Sequence, residues 1–321
     1  MQRQRVNPRA AWDLLTRHWL PRIWPLLSLA SVAIVAIGAY YASRQLATGN
    51  LRVAPSYLAL AAAIFVVAYA LQALGWHHLA THFLGPLPMQ TNIEAMAASS
   101  LVRSLPTVAW YIANRMHFYT RRSIPQRSVA VASLIELLIM LTSGTFLYTL
   151  FWLARVHIAL VPVGAIGFGL LFKGAARGRA WLRGRQWRWL LRLWPVGPVA
   201  LEPGGQWRTA VLLYGASWPL GVCMLWAALN VFIPVDAAGL PTVFNIWLLM
   251  GLVSYVGTLT LGGIGIGREI TLTFLLAQHW PLSVAVASAI VIKLVLTLGE
   301  IVCGALILAW LRINRKSITH E

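Results

Sequence analysis

The chain has 321 residues, of which 59% are hydrophobic and 11% are charged, and its mean hydropathy is +0.70. Soluble domains carry about 25% charged residues, so this composition excludes a water-soluble fold and predicts an all-α, polytopic helical membrane protein. The net charge is +18, but the 26 basic residues form short clusters between apolar runs rather than one basic domain. We therefore predict anionic membrane lipids, and not nucleic acid, as the partner.

The N-terminal residues 1–23 are basic and amphipathic, and they predict an interfacial helix on the cytoplasmic surface of the membrane. The apolar run that follows is longer than the core of a signal peptide, and no small-residue cleavage site comes after it, so we expect an uncleaved first span. Residues 24–311 are predicted to form a single membrane domain. Six segments of this domain have the length and composition of full spans: 24–46, 56–76, 128–153, 156–172, 209–233 and 282–311.

Two further apolar segments, 95–120 and 242–280, are interrupted by residues that an unbroken membrane helix avoids. The first segment contains Pro106 and Arg115. We expect both segments to be re-entrant or broken helices, because irregular backbone at membrane depth is tolerated only where protein or a cavity surrounds it. The second segment contains a glycine cluster followed by an Arg–Glu pair: Gly262, Gly263, Gly265, Gly267, Arg268 and Glu269.

The basic clusters predict the topology, because Lys and Arg accumulate in cytoplasmic loops. The first 22 residues contain five Arg, and the loop at 173–208 contains one Lys and seven Arg against one acidic residue. The tail at 312–321 is also basic. Six crossings with two re-entrant segments leave all these clusters on one side. We therefore predict a protein of the bacterial inner membrane with both termini in the cytoplasm.

Two parts of the chain are similar to each other. Residues 128–144 and 283–299 both begin with SVAVAS, and they share ten identities in 17 aligned positions without a gap. The repeats cover about 50–155 and about 205–311, and chance similarity between two spans rich in Ala and Val is the alternative. The basic cluster precedes the span in the first copy and follows it in the second, which predicts an inverted-topology repeat. Such repeats are typical of transporters, whose binding sites lie near the midplane of the bilayer.

Ionisable residues inside the apolar runs are the candidate binding residues, because a charge at the bilayer centre costs about 2.5–3.5 kcal/mol on insertion scales and is usually buried, paired and functional. Lys293 and Glu300 are seven residues apart on one predicted helix, so each is expected to find a partner on another helix. Glu136 is expected to pair with Arg115 or Arg268 across the repeats. Structural ion pairs that only hold the bundle together are the alternative.

No other motif predicts catalytic or metal chemistry. His78 and His82 have the spacing of two metal ligands on one helix face, but no Cys or carboxylate lies near them in sequence, so interfacial polar residues are the favoured interpretation. The loop at 173–208 combines Arg with Trp, which is typical of a helix lying on an anionic leaflet. The chain lacks GxSxG, a Cys–His pair and a paired-carboxylate loop. We therefore predict no enzymatic activity, no cofactor and no metal.

Three features together resemble the lysylphosphatidylglycerol synthase transmembrane (flippase-like) family: Pro106 followed by Trp110, the span SIPQRSVAVASLIELLIML, and GGIGIGRE before a SVAVAS span. The resemblance covers about 50–311 and implies that the protein moves a modified phospholipid between leaflets. Some members carry a soluble aminoacyl-transferase domain after the spans, and the short basic tail leads us to expect that this activity is absent. The glycine-rich motif of the family corresponds to these residues: Gly262, Gly263, Gly265, Arg268 and Glu269.

The leading prediction is a flippase-like protein that binds an anionic phospholipid at helix N-termini and arginine side chains between its two halves. One alternative is a membrane accessory protein or enzyme of lipid-linked sugar metabolism, with a glycosyltransferase or lipid synthase docked on the 173–208 loop. A purely structural scaffold is the other. The predicted lipid-binding residues are Pro106, Trp110, Arg115, Glu136, Gly262, Gly263, Gly265, Gly267, Arg268, Glu269, Lys293 and Glu300.

Overall fold

The computed structural model describes residues 53–101, 108–158, 160–166, 205–261 and 266–318, together with Tyr40 and Arg44. Within these ranges the chain is almost entirely helical and contains no strand, which confirms the predicted all-α class. Several predicted features lie outside the described residues: the interfacial helix 1–23, most of the span 24–46, most of the loop 173–208, Pro106, Gly262, Gly263 and Gly265.

The described ranges contain eight α-helices. They are α1 (Pro55–Leu84), α2 (Met89–Ser100), α3 (Val108–Thr120), α4 (Gln126–Val156), α5 (Gly205–Asn230), α6 (Leu240–Leu261), α7 (Ile266–Ala277) and α8 (Leu282–Ile318). A 3-10 turn, Ala237–Gly239, precedes α6, and residues 160–166 are also helical. Five of these helices, α1, α4, α5, α6 and α8, are long and apolar enough to cross a membrane. The chain is therefore an integral membrane protein by the length and composition of its helices.

Four of the predicted spans coincide with long apolar helices: 56–76 with α1, 128–153 with α4, 209–233 with α5 and 282–311 with α8. The segment 242–280 is divided between two helices, as expected for a broken helix. Its first part, α6, has 22 residues and is by itself long enough to cross a bilayer, and the 12-residue α7 follows it. The glycine cluster thus comes only after a full membrane length of apolar helix.

The segment 95–120 is divided between two short helices. The helix α2 has 12 residues and α3 has 13, whereas a crossing needs about 20.

Several helices begin or end where the sequence carries proline or glycine. Pro55 occupies the first turn of α1, and Gly85, with a φ of 96°, follows its last residue. Pro88 and Pro125 immediately precede α2 and α4. The ends of these helices are thus encoded locally.

The contacts between helices follow the same pattern in both halves. In the first half α2 contacts α3, α3 contacts α4, and α1 contacts α2 and α4; in the second half α6, α7, α8 and α5 make the corresponding contacts. Between the halves, α1 packs along α5 more extensively than any other pair. The helix α2 contacts α8 as α6 contacts α4, and α1 contacts α8 as α5 contacts α4. Exchanging α1–α4 with α5–α8 therefore leaves the contact pattern unchanged.

Tryptophan side chains packed on glycines hold α5 close to its neighbours. A Cβ atom on Gly144 of α4 or on Gly251 of α6 would collide with the indole ring of Trp218 on α5. A Cβ atom on Gly221 of α5 would collide with the ring of Trp247 on α6. Both tryptophans are buried. Since a glycine removes the side chain that would hold two helices apart, these contacts set the spacing of α4, α5 and α6.

We predict that Gly221→Ala lowers the thermal unfolding temperature of the detergent-solubilised protein, because the added methyl group overlaps the Trp247 ring and overpacking costs about 1–3 kcal/mol. Gly215→Ala on the same helix is the matched control, since a Cβ atom there meets no neighbouring atom within 4 Å. The control should keep or raise the unfolding temperature, because Ala favours helix over Gly. An unchanged temperature for Gly221→Ala would contradict the packing described above.

Candidate functional site

A buried ion pair joins α3 to α4. The Nη1 atom of Arg115 lies 2.5 Å from Oε2 of Glu136, and the two residues are 0% and 5% exposed. Of the two partners that the sequence offered for Glu136, the structure pairs it with Arg115 and not with Arg268. The predicted pairing of Glu136 with Arg115 is therefore confirmed, although both residues belong to the first half and the pair does not connect the two repeats. Arg115 and Glu136 are 21 residues apart in sequence, and the pair joins the short helix α3 to the long helix α4 that follows it.

Both oxygens of the Glu136 carboxylate accept further hydrogen bonds. The hydroxyl of Tyr214 on α5 donates to Oε1 at 2.8 Å, and the hydroxyl of Tyr111 on α3 donates to Oε2. A buried carboxylate is tolerated only when its charge is paired and its lone pairs are occupied, and Glu136 meets both conditions. The charge of this residue is thus fully compensated inside the bundle.

The guanidinium of Arg115 is enclosed in the same way. Its Nε donates to the hydroxyl of Ser99 at 3.1 Å, and its Nη2 lies 2.9 Å from the sulfur of Met96 on α2. Its Cζ lies 3.5 Å from the ring centroid of Trp76 on α1 and 4.1 Å from that of Tyr111. Stacking on aromatic rings stabilises a desolvated cation by about 2 kcal/mol. Five helices, α1 to α5, therefore contribute side chains to one buried charge cluster.

A chain of neutral polar groups extends from this cluster along α1. Trp76 donates from Nε1 to the hydroxyl of Tyr119 at 3.0 Å, and that hydroxyl donates to Oδ1 of Asn92 at 2.8 Å. The Nδ2 of Asn92 lies 3.0 Å from Nδ1 of His77, which accepts its hydrogen. These hydrogen bonds satisfy the polar groups of the fully buried Asn92 and fix the orientation of Trp76 over Arg115.

The other two histidines of α1, His78 and His82, follow His77 on the same helix. His82 contacts the rings of Phe83 and Trp207, and the Nδ1 of His78 is buried without a hydrogen-bond partner in the part of the chain that the structure describes. Among the described residues no three His, Cys, Asp or Glu side chains lie close enough to hold a metal ion. His78 and His82 are thus placed among aromatic neighbours at the end of α1.

The second half has an ion pair in the corresponding place. The Nζ of Lys293 on α8 lies 2.9 Å from Oε1 of Glu269 in the first turn of α7, and these side chains are 36% and 20% exposed. The predicted partner of Lys293 on another helix is therefore confirmed. The order of the charges is reversed: the acid lies on the short helix and the base on the long one, whereas Arg115 and Glu136 have the opposite arrangement.

Arg268 lies next to this second pair. Its Cζ is 5.7 Å from the ring centroid of Trp247 on α6, and the side chain is partly exposed. Within the described residues Arg268 forms no ion pair. Lys293 and Arg268 are thus two partly exposed cations beside and within this pair, and Arg268 has no acidic partner among the described side chains.

Exposed apolar side chains lie on both helices of the second pair. On α7, Ile270 and Phe274 are four residues apart, so they share one helix face, and both are exposed. On α8, Leu294 and Leu298 have the same spacing, and both are exposed. Ile270 and Leu294 each follow a charged residue by one position, so the two apolar rows lie on helix faces next to those that carry the charges.

The remaining predicted residues are dispersed. Trp110 on α3 is exposed although its neighbour Tyr111 is buried, and Gly267 lies in the first turn of α7. Glu300 is partly buried on α8, two turns beyond Lys293. Five residues that contact Arg115 or Glu136 were not predicted from the sequence: Trp76, Met96, Ser99, Tyr111 and Tyr214. Tyr111 carries a usable signal, because it lies four residues before Arg115 on the same helix face, whereas Trp76 and Tyr214 lie far away in sequence.

No protein-family model matches the chain, and no curated protein matches it.

We predict that Arg115→Gln strongly destabilises the protein, because it leaves the Glu136 carboxylate buried without a cation, which costs about 3–5 kcal/mol. The unfolding temperature of the detergent-solubilised protein measures the effect. Arg122→Gln is the matched control: Arg122 pairs with Glu94 at 3.1 Å, but these side chains are 29% and 18% exposed, and such pairs contribute about 0–1 kcal/mol. Equal decreases of the unfolding temperature in the two variants would contradict this prediction, because the buried pair of Arg115 would then stabilise the protein no more than the partly exposed pair of Arg122.

Proposed function

We propose that the protein binds an anionic phospholipid by its phosphate group and moves it between the two leaflets of the membrane, as a flippase-like protein. The observation that carries this proposal is the pair of partly exposed cations, Arg268 and Lys293, bordered by exposed apolar side chains on membrane helices. A phospholipid needs both parts of this surface, since its headgroup is an anion and its chains are apolar.

The charged part of the surface suits a phosphate group. An Arg presents a planar fork of N–H donors that binds phosphate bidentately, and a Lys adds a flexible point charge. Arg268 lies in the first turn of α7, where the free backbone N–H groups and the helix dipole also favour an anion. Three sources of positive potential are thus close together at one end of a 12-residue helix.

The apolar rows Ile270–Phe274 and Leu294–Leu298 support a lipid rather than a small soluble anion. Their side chains are exposed on the same two helices as Glu269 and Lys293, so acyl chains can contact α7 and α8 while the headgroup contacts the cations. A soluble phosphate would gain nothing from these rows. The same apolar surface is where a membrane protein meets the bilayer, so the site is open to lipid from the side.

The paired halves support a transporter. The contact pattern is unchanged when α1–α4 and α5–α8 are exchanged, and residues 128–144 of α4 are similar in sequence to 283–299 of α8. We propose that these halves are inverted-topology repeats, with α2–α3 and α6–α7 as their broken helices. In such proteins the binding site lies between the repeats and access alternates by movement of one part against the other. The proposal keeps the protein in the bacterial inner membrane with both termini in the cytoplasm.

The role of Arg115 in this proposal differs from the one expected from sequence. Every nitrogen group of its guanidinium has a partner within the bundle, and the side chain is fully buried. A headgroup would have to displace Glu136, which also accepts hydrogen bonds from two tyrosines. We therefore assign Arg115 and Glu136 to holding the helices together, and Arg268 and Lys293 to the lipid.

The proposal predicts that Arg268→Gln slows phospholipid translocation about tenfold or more, because a charge-assisted hydrogen bond to phosphate contributes about 1.5–3 kcal/mol. Fluorescent phosphatidylglycerol in proteoliposomes, with a membrane-impermeant quencher added outside, measures the rate.

Arg155→Gln is the matched control. Arg155 also lies near an aromatic ring, because its Cζ is 5.9 Å from the ring centroid of Trp152. Unlike Arg268, it is exposed at the end of α4. This variant should translocate lipid at the unmodified rate. The proposal fails if Arg268→Gln retains the full rate, or if the unmodified protein moves lipid no faster than protein-free liposomes do.

A further inference from the structure

We infer that the carboxylate of Glu269 is an internal substitute for the lipid phosphate: it occupies Lys293 in the lipid-free protein and is displaced when a phosphate group binds between Lys293 and Arg268. This inference rests on the proposed function for the identity of the ligand. It adds a competition within the site that the proposed function does not require.

The contacts of Glu269 fit a group that leaves. Within the described part of the chain its carboxylate has one partner, the Lys293 ammonium at 2.9 Å, and both side chains are partly exposed. A carboxylate and a phosphate are both oxyanions that accept hydrogen bonds from the same donors. When the phosphate replaces the carboxylate, Lys293 exchanges one anionic partner for another, and the released Glu269 side chain can be hydrated because it is already partly exposed.

The first half shows what a permanent pair looks like in this protein. Glu136 holds its cation together with two tyrosine hydroxyl groups, and it is buried. Glu269 has neither the additional donors nor the burial among the described residues. Since an exposed ion pair is much weaker than a buried and fully hydrogen-bonded one, an incoming anion can compete for Lys293 but not for Arg115.

Arg268 supplies the second cation of the loaded site. Successive residues of a helix point in different directions, so Arg268 does not share the Glu269–Lys293 contact. Its guanidinium is held by an aromatic contact of 5.7 Å to Trp247, at the outer limit of such interactions. The long side chain is therefore available to turn toward a phosphate at Lys293. The site gains a net positive charge only after Glu269 leaves Lys293, which is the condition for binding an anion.

The exposed rows Ile270–Phe274 and Leu294–Leu298 favour a lipid over free phosphate as the source of the phosphate group. Both ligands present the same anionic oxygens to Lys293, and only the lipid has chains that can contact the rows. Binding experiments with the two ligands distinguish these sources.

The test is the affinity of the full-length, detergent-solubilised protein for short-chain phosphatidylglycerol, measured by calorimetric titration. Glu269→Gln should bind the lipid about fivefold more tightly, because the competing ion pair no longer has to be broken. Glu94→Gln is the matched control: Glu94 also forms a partly exposed ion pair, with Arg122, and its side-chain exposure of 18% is close to the 20% of Glu269. Its affinity should be unchanged.

A double variant separates competition at Lys293 from a general change of charge. In a Lys293→Gln background, Glu269→Gln should give no gain in affinity, because the contact over which the two anions compete is absent. A fivefold gain in that background, or an unchanged or weaker affinity of Glu269→Gln alone, would overturn the inference. Titration with inorganic phosphate identifies the source, since a gain for phosphate without one for phosphatidylglycerol would overturn the assignment to a lipid.

Failure of this inference and failure of the proposed function give different results. If Glu269→Gln tightens lipid binding while Arg268→Gln leaves translocation at full rate, the competition stands and translocation through this site does not. If Arg268→Gln abolishes translocation while Glu269→Gln does not tighten binding, the function stands and the internal substitute is wrong.

Discussion

A guanidinium and a carboxylate inside an apolar bundle can be kept charged only if every polar atom of both groups finds a partner. In this protein that requirement connects five helices, because the partners of Arg115 and Glu136 come from α1, α2, α3, α4 and α5. Neither short helix is long enough to cross a bilayer, so α2 and α3 depend on these contacts for their place. The buried pair thus fixes the geometry of the first half and joins it to the second.

The ion pairs at equivalent positions of the two halves differ in burial. Each half has an ion pair between its second short segment and its last long helix, α3 with α4 and α7 with α8. In the first half aromatic and hydroxyl groups enclose the pair, whereas in the second half it is partly exposed beside apolar side chains. An enclosed pair is a fixed support. A partly exposed pair can change partners, and this difference is what makes the second half the better candidate for binding a ligand.

The sequence predicted the long helices well because hydropathy is a local property, so α1, α4, α5 and α8 coincide with predicted spans. It also predicted a partner for Lys293 on another helix, since seven residues separate it from Glu300 on its own helix. It predicted a re-entrant or broken helix over 242–280, which the structure divides between α6 and α7, but it did not predict that α6 alone has the length of a full span. The contact of Glu136 with Tyr214, 78 residues away, has no local signal, since only the packing of α4 on α5 brings these residues together.

The symmetry of the contacts and the asymmetry of the charges together distinguish the two short helices that occupy equivalent places in the halves. The seam between α1 and α5 is the most extensive interface in the described bundle, and the buried ring of Tyr214 on α5 packs on Gly75 of α1 within it. The helix α3 is held against α2 and α4 by the enclosed Arg115. Its counterpart α7 makes its extensive contacts with α6 and α8, and the ion pair that ties it to α8 is partly exposed. Of two equivalent short helices, therefore, one is tied to its long neighbour by an enclosed ion pair and the other by a partly exposed one, so apolar packing carries more of the attachment of α7 than of α3.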